Sequence, residues 1–282
     1  MKVDSHQHFW LYNTKEYSWI NDRMKVLKRN FLPEDLQPEL IKSGFSGSVA
    51  VQARQTIEET RWLLELADRN DFIKGVVGWV DLCSGNELKR QLDEFSKYSK
   101  FVGVRHVVHD ELEDNFMLHD DFLKGISMLK EYNLTYDLLL FPKHLPVAEI
   151  LAGMFPAQKF VLDHISKPLI KNHILNPWND DLRMLAGHKN VWCKLSGMVT
   201  EADWNNHKRE DFYPYINTVF NAFGNDRLMI GSDWPVCLVA SEYKDVIGII
   251  SSFIKEMPAD KRQKILGTNC IEFYGLDAHD QN

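Results

Sequence analysis

The stretch at residues 47–82, "GSVAVQARQTIEETRWLLELADRNDFIKGVVGWVDL", decides the fold. It opens on a β-rich run, "GSVAVQA", passes through a helical pattern from Thr56 to Asp71, and returns to a second β-rich run from Lys74. In the helical part Thr56 and Glu59 have capping-box spacing, while Trp62, Leu63, Leu66 and Ala67 recur as an apolar stripe. Strand, helix and strand in this order predict parallel pairing through a right-handed crossover. The same unit recurs on both sides. Further β-rich runs begin at Lys2 ("KVDSHQHF"), Phe101 ("FVGVRHVV"), Leu134 ("LTYDLLLF"), Lys159 ("KFVLDHI"), Asn190 ("NVWCKLS") and Arg227 ("RLMIGSD"). Ser84 and Glu87 repeat the capping device ahead of Leu88, Leu92 and Phe95, and Pro258 suits the first turn of a C-terminal helix.

Eight such runs, most beginning 25 to 37 residues apart, predict an α/β protein built as a closed, TIM-like (β/α)8 barrel. An open doubly wound sheet is the alternative, but neither G-x-G-x-x-G after a strand nor a Walker loop is found. No Pro/Gly/Ser-rich linker divides the chain, so residues 1–282 read as one domain. The long first connection, residues 10–46, carries Trp10, Tyr12, Tyr17 and Trp19 and is expected to cover the barrel mouth.

Composition narrows the function classes. With 33 basic against 40 acidic residues and no basic tract, the chain lacks the electrostatic footprint of a nucleic-acid binder. No apolar run reaches membrane-spanning length and no secretory leader is apparent. Cys83, Cys193, Cys237 and Cys270 are widely spaced, as expected of reduced thiols in a cytoplasmic protein. Aromatic loops such as "WLYNTKEYSWI" (residues 10–20) offer a surface for packing in a homo-oligomer.

In a barrel of this kind, functional groups gather at the carboxyl ends of the strands. His6 and His8 stand there on the first strand, Arg105, His106 and His109 on the fourth, and Asp163 and His164 on the sixth. Lys194 and Ser196 end the seventh, and Asp233 the eighth. His6 and His8 are two residues apart, so in a strand they share a face, about 6.5 to 7 Å apart at Cα, and two imidazoles can lean onto one cation. His164 and Asp233 could complete a nitrogen and oxygen set suited to zinc or a similar divalent ion, with a position left for water. Asp4 falls on the same face but deeper, where a structural role fits better.

The blocks "DSHQHFW", "GVRHVVHDE", "FVLDHISKP", "NVWCKLSGM" and "LMIGSDWPV" resemble the amidohydrolase superfamily, and within it the sugar-lactonase branch of L-fuconolactonase and L-rhamnonolactonase type. The resemblance runs from Met1 to about residue 276. It implies a distorted (β/α)8 barrel that hydrolyses a cyclic ester, with the family's metal ligands mapping onto His6, His8, His164 and Asp233. Two-metal members of the superfamily bridge their ions with a carboxylated lysine from the fourth strand. That strand here offers Arg105 and His106 and contains no lysine, and the fifth offers only His144, just beyond its end. One divalent metal, zinc by its donor set, or metal-free operation is therefore expected.

For a small-molecule sugar lactone, Asp233 is the candidate base, taking a proton from water and returning it to the leaving alkoxide; a turn-capping role is the plain alternative. Arg105 and His109, four residues apart, are candidates to grip the carbonyl or ring hydroxyls, although Arg105 equally suits a salt bridge in the rim. Candidate substrate contacts are Trp234, Lys194, Lys167, Gln52 and, ranked lower because it points the other way along the strand, His106. Lys194 and Lys167 equally suit surface-reaching roles, and Trp234 equally suits packing. Asp137 is a further hydroxyl-binding candidate. A metal-dependent decarboxylase is the competing enzyme class, and a non-catalytic sugar-binding barrel the competing binding class.

Overall fold

A computed structural model describes residues 1–277. Eight parallel strands follow one another in sequence order: β1 (Val3–Gln7), β2 (Gly47–Val51), β3 (Ile73–Gly78), β4 (Phe101–His106), β5 (Thr135–Leu138), β6 (Phe160–Leu162), β7 (Val191–Leu195) and β8 (Leu228–Ile230). The principal helices between and after them are α1 (Pro33–Lys42), α2 (Ile57–Arg69), α3 (Asn86–Phe95), α4 (Asp120–Leu129), α5 (Leu145–Met154), α6 (Trp178–Ala186), α7 (Tyr213–Phe223) and α8 (Tyr243–Phe253). A last segment runs through α9 (Ala259–Gln263) and a π-helical turn into α10 (Asn269–Tyr274). The expected (β/α)8 barrel is what the chain forms. Among the described residues, no helix is long and apolar enough to cross a membrane.

Strands buried on both faces read as nearly continuous apolar runs, which is why β2 and β3 stand out in the sequence. One large apolar cluster fills the space between sheet and helices. A smaller one, with Val3, Val49, Val51, Val77, Val161 and Met229 from the strands and Phe273 and Tyr274 from α10, packs towards the strands' amino ends. Polar groups follow further along the same strands.

The eighth strand is only three residues long, so closure depends on what lies beyond it. The Asp233 amide donates to the His6 carbonyl at 2.8 Å, and the His8 amide donates to the Trp234 carbonyl at 2.7 Å. The buried Asp4 carboxylate reinforces this seam. It accepts from the Ser232 amide (2.9 Å) and hydroxyl (2.6 Å), the His6 amide (3.1 Å) and the Tyr243 hydroxyl of α8 (3.2 Å). Burial outweighs these donors and raises its pKa to about 6. The expectation that Asp4, His6 and His8 share one regular face needs correcting. The β1–β2 register shifts between Asp4 and Gln7, and such an irregularity re-aims side chains. Asp4 thus serves Ser232 and α8, while His6 turns to Asp163 and Lys194.

The expected capping boxes are half realised. Thr56 caps α2 by accepting the Glu59 amide at 3.2 Å. The Glu59 carboxylate, fully buried, instead accepts from the amides of Ala53 (2.9 Å) and Arg54 (2.7 Å) and the Tyr17 hydroxyl (3.3 Å), tying the first connection to the loop after β2. At α3 the cap is Gly85, at φ +60°, while Ser84 donates to the Asp81 carbonyl and Glu87 pairs with Arg90. Pro258 sits at the N-cap of α9, one position ahead of its first turn. Residues 10–46 contain a 3-10 turn (Asp22–Leu27) and α1. Trp10, Tyr17 and Ile20 of the aromatic loop are buried within the chain, and Leu11 and Trp19 remain exposed.

Replacing Asp4 with Ala would leave several buried donors without a partner. Asp4→Ala is expected to destabilise the fold by about 2–4 kcal/mol, read as a lower urea midpoint with an unchanged slope.

Candidate active site

Each rim residue is aimed by a specific local device. Asp233, at φ +58°, is set beside His6 by the seam hydrogen bond from its own amide. His164 begins four consecutive left-handed residues, His164, Ile165, Ser166 and Lys167, at φ +53°, +48°, +62° and +49°. None is glycine, and such residues cost roughly 1–2 kcal/mol each. The turn is held by the Trp178 indole N–H donating to the Ile165 carbonyl (2.7 Å) and the Lys167 amide donating to the His164 carbonyl (2.8 Å). Gly197, at φ +61°, makes room for the imidazole, since a Cβ there would run into His164 Nδ1.

Three imidazoles and one carboxylate converge. His6 Nε2 lies 3.2 Å from His8 Nε2. Asp233 Oδ1 lies 3.4 Å from His8 Nε2, 3.8 Å from His164 Nε2 and 3.9 Å from His6 Nε2. The opposite ring nitrogens are engaged elsewhere, His8 Nδ1 with the Val51 carbonyl (2.8 Å) and His164 Nδ1 with the Ser196 hydroxyl (2.9 Å). Partners on Nδ1 that leave Nε2 facing a common point are how proteins orient metal-binding histidines. Two triads could grip an ion: His6, His8 and Asp233, and His6, Asp163 and His164. The donor set therefore fits a divalent cation such as zinc.

Beneath it lies a buried layer of charge. Lys194 Nζ is 2.5 Å from Asp137 Oδ2, 3.0 Å from Asp163 Oδ1 and 3.2 Å from His6 Nδ1. Arg105 Nη1 donates to Asp163 Oδ2 at 3.0 Å, and its Nη2 donates to the Gln52 carbonyl. The Tyr274 hydroxyl donates to Asp137. Burial alone would discharge Lys194, but Asp137 and Asp163 raise its pKa instead. Burial drives the imidazoles the other way. His6 falls well below its ordinary value despite Asp163, and His164 falls to about 3 despite Asp233, so both are neutral with lone pairs at pH 7. Burial would raise the Asp233 carboxyl, but the neighbouring imidazoles, His164 foremost, outweigh it and keep the group ionised.

A cavity of about 280 Å3 opens above this floor. His8, His164, Asp233 and Arg105 line its base, and His109 and Lys167 its side. Hollows of about 500 and 560 Å3 elsewhere are lined by none of these residues, so chemistry rather than size selects the site. His6, fully buried, sits just behind the lining. Burial and the nearby Lys167 lower His109 to about 3, and its ring stacks on Phe141.

Four of the candidate substrate contacts lie elsewhere. Lys194 neither reaches the surface nor lines the cavity, because Asp137 and Asp163 hold it inside the barrel. The Gln52 amide donates to the Arg105 carbonyl, supporting that residue's backbone. Trp234 packs edge-on against Phe9 and Phe31. His106 faces Glu111 at 2.7 Å and stacks on Phe116. His144 lies beside Asp114. Trp19 of the first connection lines the cavity, and the wall also holds residues that sequence reasoning missed: Met24, Asp110, Glu201 and Trp204. They sit in irregular loops where no periodicity marks them. Asp163 and Lys194 did leave a signal, as charges within strand runs that are otherwise apolar.

The sequence matches the amidohydrolase family over residues 3–276. This chain belongs to the amidohydrolase family. Among amidohydrolases, a Burkholderia multivorans protein named L-fucono-1,5-lactonase is 37% identical over 98% of this chain and 96% of its own length. A Burkholderia ambifaria protein of the same name is 34% identical, over 98% and 96% respectively. A crystal structure of a Burkholderia multivorans amidohydrolase with bound zinc is similar at a TM-score of 0.95 and 37% identity, covering 98% of this chain and 100% of that one. A 2,6-dihydroxybenzoate decarboxylase from Rhizobium, at 14% identity and TM-score 0.70, shares the fold.

A methyl group at Gly197 would meet the His164 ring. Gly197→Ala is expected to weaken zinc binding by about 10- to 100-fold, measured by competition with a chromogenic chelator, while the far-ultraviolet circular dichroism stays that of the parent.

Proposed function

We propose that this amidohydrolase opens a sugar-derived 1,5-lactone, L-fucono-1,5-lactone being the first candidate, by Asp233-assisted attack of water. One observation carries the reading: an ionised carboxylate stands within 3.9 Å of three imidazole nitrogens at a cavity floor, in a chain 37% identical to an L-fucono-1,5-lactonase. His6, His8, His164 and Asp233 would hold one divalent ion, zinc by donor chemistry. A cation there supplies Lewis acidity and lowers the pKa of a bound water.

The chain's own groups account for the proton movements. Asp233 takes a proton from water, the oxygen attacks the lactone carbonyl, and negative charge develops on the carbonyl oxygen. Arg105 and His109 line the cavity, and among the described residues Arg105 Nε and His109 Nδ1 have no hydrogen-bond partner. The Arg105 guanidinium is the donor that suits the developing oxyanion, while neutral His109, its Nε2 3.3 Å from Asp110 Oδ1, keeps Nδ1 as an acceptor. Collapse breaks the bond to the ring oxygen, which takes the proton back from Asp233, and the new carboxyl group releases its remaining proton to solvent as the product leaves as an aldonate. Lys167, in the cavity lining, would meet a ring hydroxyl. In this reading residues 10–46 cover the cavity through Trp19 and Met24, and the enzyme works in the cytoplasm on a small uncharged substrate.

Acid release from a panel of aldonolactones, followed with a pH indicator, tests the proposal. The parent is expected to turn over a 1,5-lactone, and Asp233→Asn to lower kcat by about 1,000-fold with a smaller change in KM. Metal content before and after chelation, paired with the same rates, separates a metal-assisted site from one run by side chains alone. Full activity in Asp233→Asn would overturn the assignment of the base.

A further inference from the structure

We propose that Lys167 and Glu201 form a paired reader of adjacent ring hydroxyls and set the preference for polyhydroxylated over plain lactones. The inference rests on the lactonase reading and adds the residues that select the substrate.

The cavity lining is of two chemical kinds. Trp19, Met24, Val107, Leu139 and Val236 give it apolar wall, while His109, Asp110, Lys167, Thr200 and Glu201 give it polar wall. Lys167 Nζ stands 3.3 Å from Glu201 Oε1, and both side chains are mostly buried, at 16% and 22% exposure. Their backbones are unconnected locally. Lys167 ends the left-handed turn that also aims His164, and Glu201 ends a 3-10 turn (Val199–Glu201) after β7. The Thr200 hydroxyl, which donates to the Gly197 carbonyl at 2.7 Å, pins that second turn close to the glycine facing His164. Both arms of the pair are thus fixed relative to the reacting centre.

An ammonium only donates and a carboxylate only accepts. Two neighbouring hydroxyls offer both complements, so one can accept from Lys167 while the other donates to Glu201. Hydrogen bonds to charged groups are the stronger kind, and a site built to make them rejects a ligand that lacks the hydroxyls. The cavity lining carries the carboxylates Asp110, Glu201 and Asp233 against the fixed cations Arg105 and Lys167. With the divalent ion proposed for the same site these charges come close to cancelling, and the C–H face of a neutral sugar ring can lie along the apolar residues of the lining.

The test compares kcat/KM for L-fucono-1,5-lactone and for δ-valerolactone, which has the ring without hydroxyls. Parent, Glu201→Gln and Lys167→Met are assayed, with thermal melts run beside them. The ratio of the two kcat/KM values is expected to fall by about 10- to 100-fold in each variant, mainly through KM for the hydroxylated substrate. An unchanged ratio, whether both lactones lose rate together or neither does, overturns the inference while leaving the lactonase reading standing. A parent that hydrolyses neither lactone overturns that reading and the inference with it.

Discussion

The structure depends on the seam where the barrel closes. Ser232 binds Asp4 from 228 positions away in sequence, and the same contact zone hydrogen-bonds Asp233 to the His6 backbone. With β8 so short, main-chain pairing alone would leave closure thin. Asp4 supplies what the strand lacks, and in doing so fixes the distance between the first histidines and the last carboxylate. Fold closure and site assembly are one event here, since the bonds that join the ends of the sheet also deliver Asp233 to the imidazoles.

The second constraint is electrostatic. Asp137, Lys194, Asp163 and Arg105 form a chain of alternating charge within the barrel, and Lys194 and Asp163 both touch His6. Burying such groups costs several kcal/mol per ion before their attraction is counted, so apolar side chains would fill the same space at less cost. Keeping His6 in one orientation gives the charges a purpose that packing alone does not. Neutral His6 and His164 above and compensated charges below leave Asp233 as the ionised carboxylate at the cavity floor.

Much of this was legible in the sequence because it follows from periodicity. Strand and helix runs repeat at barrel spacing, and the H-x-H pair, His164 and Asp233 stand at or just beyond strand ends, where any barrel of this type gathers polar groups. What sequence reasoning lost falls into two kinds. Lys194 and Gln52 occupy strand or strand-end positions, but their depth in the barrel depends on partners from other strands, which no local pattern reveals. Trp234 follows the same logic, since the aromatic rings it meets, Phe9 just after β1 and Phe31 in the first connection, come from the other end of the chain. The loop residues Glu201, Trp204 and Met24 are the other kind: their turns are irregular and set by contacts, so neither period nor motif singles them out. The irregularity in β1 belongs here too, because a register shift between strands is invisible to alternation within one.

The left-handed turn at residues 164–167 ties two jobs to one piece of backbone. On the proposed reading, metal holding at His164 and ligand contact at Lys167 move together, so a sequence drifting toward a new substrate could not remodel this corner without disturbing turnover. Trp19 and Met24 reach the same cavity from a separate segment that carries none of the convergent imidazoles or carboxylates. Divergence in preference among relatives of this chain is therefore expected to accumulate in that outer segment, with the inner corner held constant.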